Sequence, residues 1–292
     1  MCAEDQLNET WLQVWYLCNV LQCKFVVSLF IDTFNLTHFR PLLSDPNLMP
    51  SYRHLIACIL TLLLNRLIDP CIFADAPDAA KWDSMQLEGW QLYISKQFDP
   101  ATQPAIEQAV DLLRIQLKEV KKVVPSPALK ELLKVSLYFS PEYPGFGPRA
   151  EYHPGAGWLK DQGRDPVMEK GIEFTNIGIF AEETQRMPNF ALHELAHAFH
   201  DQVHHFDNPQ IEAAYQRAKA SGTYDRVQRQ DSAGNLSWDK AYAITNASEY
   251  FAETSEAFFS RNDFFPFHRE ELKTHDPQME QLLEKLWNLD SP

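Results

Sequence analysis

His193, Glu194 and His197 stand in the order His-Glu-Leu-Ala-His within the stretch PNFALHELAHAFHDQV. Those residue types at that spacing can hold a metal ion and move a proton beside it. On an α-helix, positions i and i+4 lie about 40° apart around the axis and about 6 Å apart along it, so the two imidazoles can bind one cation. Glu194 then sits next to the ion, free to take a proton from a water bound there, as in a zinc hydrolase. The competing reading of this segment is a core helix whose histidines are satisfied by ordinary hydrogen bonds.

A catalytic zinc site takes three protein ligands and keeps a position for water, so the two histidines need a third partner. One arrangement places glycine three residues and histidine six residues beyond the second ligand. Here those positions are His200 and Val203, and the pattern fails. His200, His204 and His205 are therefore read as groups around the site or on the surface. The other arrangement draws a glutamate from a second helix. NASEYFAETSEAFF, residues 246–259, offers Glu249, Glu253 and Glu256 on one helical side, with Phe251, Ala252, Phe258 and Phe259 interleaved. Taken alone, such a run is a solvated face. Beside the His-Glu-x-x-His segment it reads differently: Glu249 binds the metal, and Glu253, one turn later, accepts a hydrogen bond from a ligand imidazole and fixes its tautomer.

The pairing of HELAHAFH with YAITNASEYFAETSEAFF resembles the zinc peptidase domain of the anthrax-lethal-factor type, within the glutamate-ligand zincins. In that family a tyrosine lies seven residues before the ligand glutamate, in a Tyr…Asn…Glu-Phe-Phe-Ala-Glu setting. Tyr242, Asn246, Glu249, Phe251, Ala252 and Glu253 match it, with Tyr250 in place of the first Phe. The resemblance implies one zinc ion held by His193, His197 and Glu249. It further implies Glu194 as general base, Tyr242 as hydrogen-bond donor to the oxyanion or leaving group, and a peptide or protein as substrate. It covers about residues 185–262. The chain departs from the family in two respects: residues 198–248 contain their own helix and hairpin, and no long substrate-docking domain precedes the catalytic part. A zincin-shaped protein that binds zinc without cleaving is the alternative, and it predicts a fourth side chain such as His200 or His153 closing the site. A metal-free helical scaffold would bind no zinc at all.

The elements that must position these groups can be read from periodicity. Pro188 suits a first helical turn, and Phe190, Leu192, Leu195, Ala196, Phe199 and Val203 supply the apolar face of the motif helix. Upstream, 87–98 reads as a strand, 104–123 as an amphipathic helix, 128–133 as a short helix and 135–139 as a strand. Residues 141–165, rich in Gly and Pro, read as loop or edge structure, with His153 on the surface. Residues 173–180 read as a strand beside the motif helix, where substrate backbone could add to the sheet. Downstream come a helix over 209–220, a hairpin of 224–228 with 236–242, a helix over 247–261 capped by Asn246, and a last helix from Asp276 and Pro277 through Trp287. Tyr152, His153, Trp158, Tyr250 and the NDFFPF stretch are candidate cleft aromatics. The fold class expected is α+β: a zincin-like domain with a small mixed sheet packed on the motif helix and a second helix carrying the third ligand.

Of 292 residues, 45% are hydrophobic, and the net charge is −14, which disfavours nucleic acid or an anionic membrane as the main partner. All five cysteines fall in the first 71 residues, so a metal site farther on must use His, Asp or Glu. Residues 1–76 read as a leader and 77–292 as the peptidase domain. Met49 opens a stretch like a secretory signal: Arg53 and His54, the apolar run Leu55 to Leu64, then Ala74 and Ala76. The run is too short to span a bilayer. If translation starts at Met49 the protein is exported, to a periplasm or the extracellular space, and residues 1–48 are an upstream extension; otherwise it is cytoplasmic, with Trp11 to Ile31 as a packed helix. N-terminal sequencing distinguishes the two.

Overall fold

The computed structural model describes residues 77–288. Both expectations for the N-terminal region, the signal and the packed helix, lie outside these residues. Residues 74–292 form a compact unit of their own, and the described part is mixed α and β.

A five-stranded mixed sheet is built first. Strands β1 (Trp82–Leu87) and β2 (Trp90–Ser95) form a hairpin. Its turn uses Glu88 and Gly89, both with positive φ, the second at +106° where a side chain would be strained. The single strand expected over 87–98 is therefore two strands. The first, WDSMQL, shows little apolar alternation because its interior residues are largely exposed. Next come helix α1 (Gln103–Val123), helix α2 (Ser126–Leu132) and strand β3 (Leu137–Phe139), parallel to β2. Strand β4 (Ala150–Tyr152) and helix α3 (Ala156–Asp161) lie within the stretch read as loop or edge. Strand β5 (Ile172–Phe174) is parallel to β3 and antiparallel to β4, so the sheet order is β1-β2-β3-β5-β4.

That order corrects the expectation for 173–180. β5 is an inner strand that ends at Phe174, and the chain then passes through a 3-10 turn, Ile177–Ile179, into helix α4 (Phe180–Arg186). β5 is interior because its three residues are buried on both faces, a run that looks alike in an edge or a central strand. The edges of the sheet are β1 and β4, and β4 is the one that meets the motif helix.

The motif helix, α5 (Phe190–Phe199), is buried along its whole length. Asn189 caps it, accepting from Leu192 N at 3.0 Å, and Gln116 of α1 binds the same turn through Ala191 N at 3.0 Å. Pro188 thus precedes the cap instead of opening the helix. A π-helical turn, His200–His204, ends it. Helix α6 (Pro209–Ser221) and the ribbon of β6 (Val227–Gln230) and β7 (Leu236–Asp239) follow. After a 3-10 turn at Tyr242–Ile244 comes helix α7 (Ala247–Phe259), packed against α5. Helix α8 (Arg269–His275), unforeseen in the sequence, and helix α9 (Pro277–Trp287) close the molecule. Trp287 stacks on Phe199 of α5 at 4.1 Å and donates to Ser255 Oγ of α7 at 3.1 Å, so α9 ties the two site-bearing helices together. The core runs from the inner sheet face, through Leu92, Phe139 and Phe174, into α1, α5 and α7.

Candidate metal centre and cleft

His193 and His197, one turn apart on α5, point their Nε2 atoms to a common place, 3.2 Å from each other. Glu249, in the first turn of α7, brings Oε2 to 3.4 Å from His193 Nε2 and 3.3 Å from His197 Nε2. Bonds of about 2.0–2.1 Å to a tetrahedral ion place ligand atoms about 3.3–3.4 Å apart. The observed triangle has that size. The other ring nitrogens face partners that suit a protonated Nδ1: His197 Nδ1 lies 2.9 Å from Ser248 Oγ, and His193 Nδ1 lies 3.4 Å from Glu256 Oε2 and 3.6 Å from Glu253 Oε1. With Nδ1 protonated in both rings, two nitrogen lone pairs and a carboxylate oxygen converge on one point. Glu249 Oε2 is buried there without a hydrogen-bond partner among the described residues. Such a set is repulsive unless a cation sits between its members, and nitrogen and oxygen donors at these distances fit zinc.

The electrostatics agree. Burial opposes ionisation of Glu249, but the imidazoles of His193 and His197 outweigh it and hold its carboxyl well below the usual range. Burial likewise opposes charge on His193, and Glu249 and Glu256 push its basicity up in spite of it. The site attracts positive charge. Glu253 and Glu256 lie deeper, and burial raises both carboxyls above their ordinary range.

Glu194 sits beside the triangle and accepts a hydrogen bond from Tyr152 N of β4 at 2.9 Å. That bond shows how the sheet edge is oriented. Bonds from Thr175 N to Arg149 O and from His153 N to Gly171 O direct the odd-numbered residues of this strand toward β5. By the period of two, the backbone groups of Ala150 and Tyr152 face the open edge. Tyr152 is also tied to α5's C-terminal turn, its hydroxyl donating to Asp201 Oδ2 at 2.6 Å. A cleft of about 910 Å³ runs between this edge and the β6–β7 ribbon, with His193, Glu194, His197 and Glu249 on its floor. Tyr242, in the 3-10 turn before α7, lines the same cleft and is half exposed. Burial and then the charge of Glu249 push its phenol up, so it keeps its proton, and can donate it, at neutral pH.

Residues 168–286 match the family model described as anthrax toxin lethal factor, N- and C-terminal domain. This segment is similar to that family. The match begins just before β5 and ends within α9, so the matched segment includes His193, Glu194, His197, Tyr242, Glu249 and Glu253, while β1 to β4 lie outside it. No curated protein and no solved structure matches the chain. The family is one of zinc metalloproteases, and the His/Glu group at the centre of the domain could hold such an ion.

Several sequence readings are revised here. His153 is buried, not on the surface, with Nε2 3.0 Å from Glu173 Oε2, in a network that Arg164 and Tyr143 complete. A buried carboxylate drew the loop histidine inward. His200 is fully buried, in contact with the rings of Phe206 and Phe251, and neither of its nitrogens has a hydrogen-bond partner among the described residues. Neither histidine joins the ligand group. Tyr250 is buried in the core, bonded to Asp276, and does not line the cleft. Ser248 was missed as a site residue; Tyr152, named among the cleft aromatics, does line the cleft, but its place on an edge strand bonded to Glu194 was not foreseen. Ser248 adjoins Glu249 and could have been noticed; a three-residue strand inside a Gly/Pro-rich stretch leaves no periodic signal.

Proposed function

We propose that this protein is a zinc-dependent peptidase of zincin-like build, with His193, His197 and Glu249 holding the ion. The observation that carries the reading is the ligand triangle of 3.2, 3.3 and 3.4 Å on the floor of an open cleft, with a carboxylate beside it. Zinc, when bound, supplies Lewis-acid polarisation of the scissile carbonyl and acidifies water. The chain supplies the rest. The open edge of β4 receives an extended peptide, with the backbone of Ala150 and the carbonyl of Tyr152 placed to pair with it, since the N–H of Tyr152 is engaged by Glu194. Glu194 takes the proton of the attacking water and delivers it to the departing amine. The bond from Tyr152 N occupies one oxygen of Glu194, leaving the other for that water. Tyr242 donates to the oxygen on which negative charge develops. Glu253 stands near His193 Nδ1, behind the ligand.

The substrate is a peptide or protein chain. Export from a start at Met49 remains part of this proposal. Among the described residues no helix is long and apolar enough to cross a membrane.

The test is digestion of a peptide library with and without a chelator, using wild type and Glu194→Gln. Wild type cleaves and the chelator stops it; Glu194→Gln keeps stoichiometric zinc and loses nearly all turnover. Undiminished cleavage by that variant refutes the assignment of Glu194, and failure of wild type to bind zinc refutes the reading as a whole.

A further inference from the structure

Glu256 is not part of the ligand triangle, yet it is fully buried and neither of its carboxylate oxygens has a hydrogen-bond partner among the described residues. Nδ1 of His193 is equally buried and equally without one. These atoms face each other at 3.4 Å. Glu253 Oε1 is a little farther from the same nitrogen, at 3.6 Å, and its other oxygen accepts from Asn262 Nδ2 at 2.9 Å. Native interiors rarely leave a buried donor and a buried acceptor unpaired when each is within the other's reach.

Resting on the ligand assignment above, we infer that Glu256 is the positioning carboxylate for His193, accepting its Nδ1–H, while Glu253 is held chiefly by Asn262. A ring that offers the lone pair of Nε2 to an ion must carry its proton on Nδ1, and a carboxylate acceptor fixes that tautomer, orients the ring and makes Nε2 a stronger donor. Glu256 lies seven residues after Glu249, two turns along the same face of α7. One helix therefore addresses both nitrogens of His193: Glu249 converges with Nε2 and Glu256 backs Nδ1. His197 is served differently, by the neutral hydroxyl of Ser248. The other possible occupant of the space among His193, Glu253 and Glu256 is a second cation, and metal stoichiometry distinguishes it.

The experiment strips metal from full-length wild type, Glu256→Gln, Glu253→Gln and His193→Ala, then titrates zinc against a chromophoric chelator, with thermal unfolding of the metal-free forms in parallel. Wild type is expected to bind one equivalent. Glu256→Gln weakens binding by about 10- to 100-fold, and Glu253→Gln weakens it less. A merely structural glutamate would change the metal-free melting temperature and leave the affinity of the folded protein unaltered. Unaltered zinc affinity in Glu256→Gln overturns the inference, as does a second equivalent in wild type that this variant loses. If Glu256→Gln does not fold, Glu256→Asp carries the same test, since it withdraws the carboxylate by one methylene; a several-fold loss is expected and none overturns the inference. Zinc binding that survives His193→Ala would instead indict the ligand assignment, so the two failures are distinguishable.

Discussion

Tyr242 contributes a phenol and almost no packing, because half of it is exposed on the cleft wall. Tyr242→Phe should therefore lower kcat by about 10²- to 10³-fold, about 2.7–4 kcal/mol of barrier, as for other oxyanion donors. Zinc content and melting temperature should stay at wild-type values; a variant that turns over normally removes Tyr242 from the mechanism. His200 makes a different prediction. Burial pushes its imidazole down to about 4 from an ordinary 6.5. Below pH 6.5 the unfolded chain binds a proton that the folded chain refuses, so stability is complete above that pH and declines as pH falls toward 4, by about 2–3 kcal/mol. Urea unfolding at pH 7 and pH 4.5 should show this loss in wild type and a smaller one in His200→Leu; equal losses would sink the idea. At this scale the proposed ligand histidines were legible because one turn of helix dictates where i and i+4 point. His153 and His200 were not, since nothing local says which way a lone histidine turns.

Helices α5 and α7 carry the proposed ligands, and each starts at an asparagine whose side chain fixes its first turn. Asn246 Oδ1 accepts from the backbone N of Glu249 itself at 2.9 Å, so this cap sets both the start of α7 and the backbone from which the third ligand projects. Glu249 in that first turn also lies at the favourable end of the helix dipole. Asn246→Ala should cost about 1 kcal/mol of stability, within the usual 0.5–2, and should weaken zinc binding as well. Asn246→Asp, which keeps an acceptor oxygen, should restore most of both. Urea denaturation and chelator competition on the pair of variants check this, and a loss of stability with unchanged zinc affinity would separate the cap from the site. Asn246 and the bounds of α9 were readable from cap chemistry. The β1–β2 hairpin, α4 and α8 escaped because short or partly exposed elements carry too few apolar positions to show a period.

For the whole molecule, zinc held as proposed would act as a cross-link between α5 and α7 that only the folded state can make. Metal at 100-fold above its dissociation constant adds about 2.7 kcal/mol, which for a domain of this size is about 5–10 °C in Tm. Chelation should lower the melting temperature by that amount, readdition of zinc should restore it, and Glu249→Gln should show a much smaller difference. A chelator-insensitive Tm would mean that no ion bridges the helices.

The identities and spacings of His193, Glu194, His197 and Glu249 were decided by the sequence alone, because a helix converts short intervals into fixed directions. So were the cap at Asn246 and the length of the last helix. Only the tertiary structure decided that two helices some fifty residues apart bring three lone pairs within 3.4 Å of one another, that β4 and not β5 offers the open edge, and that Glu256 backs His193. Those outcomes depend on sheet order and on helix-to-helix contact, which arise from packing the whole core at once and leave no trace in any local interval of residues.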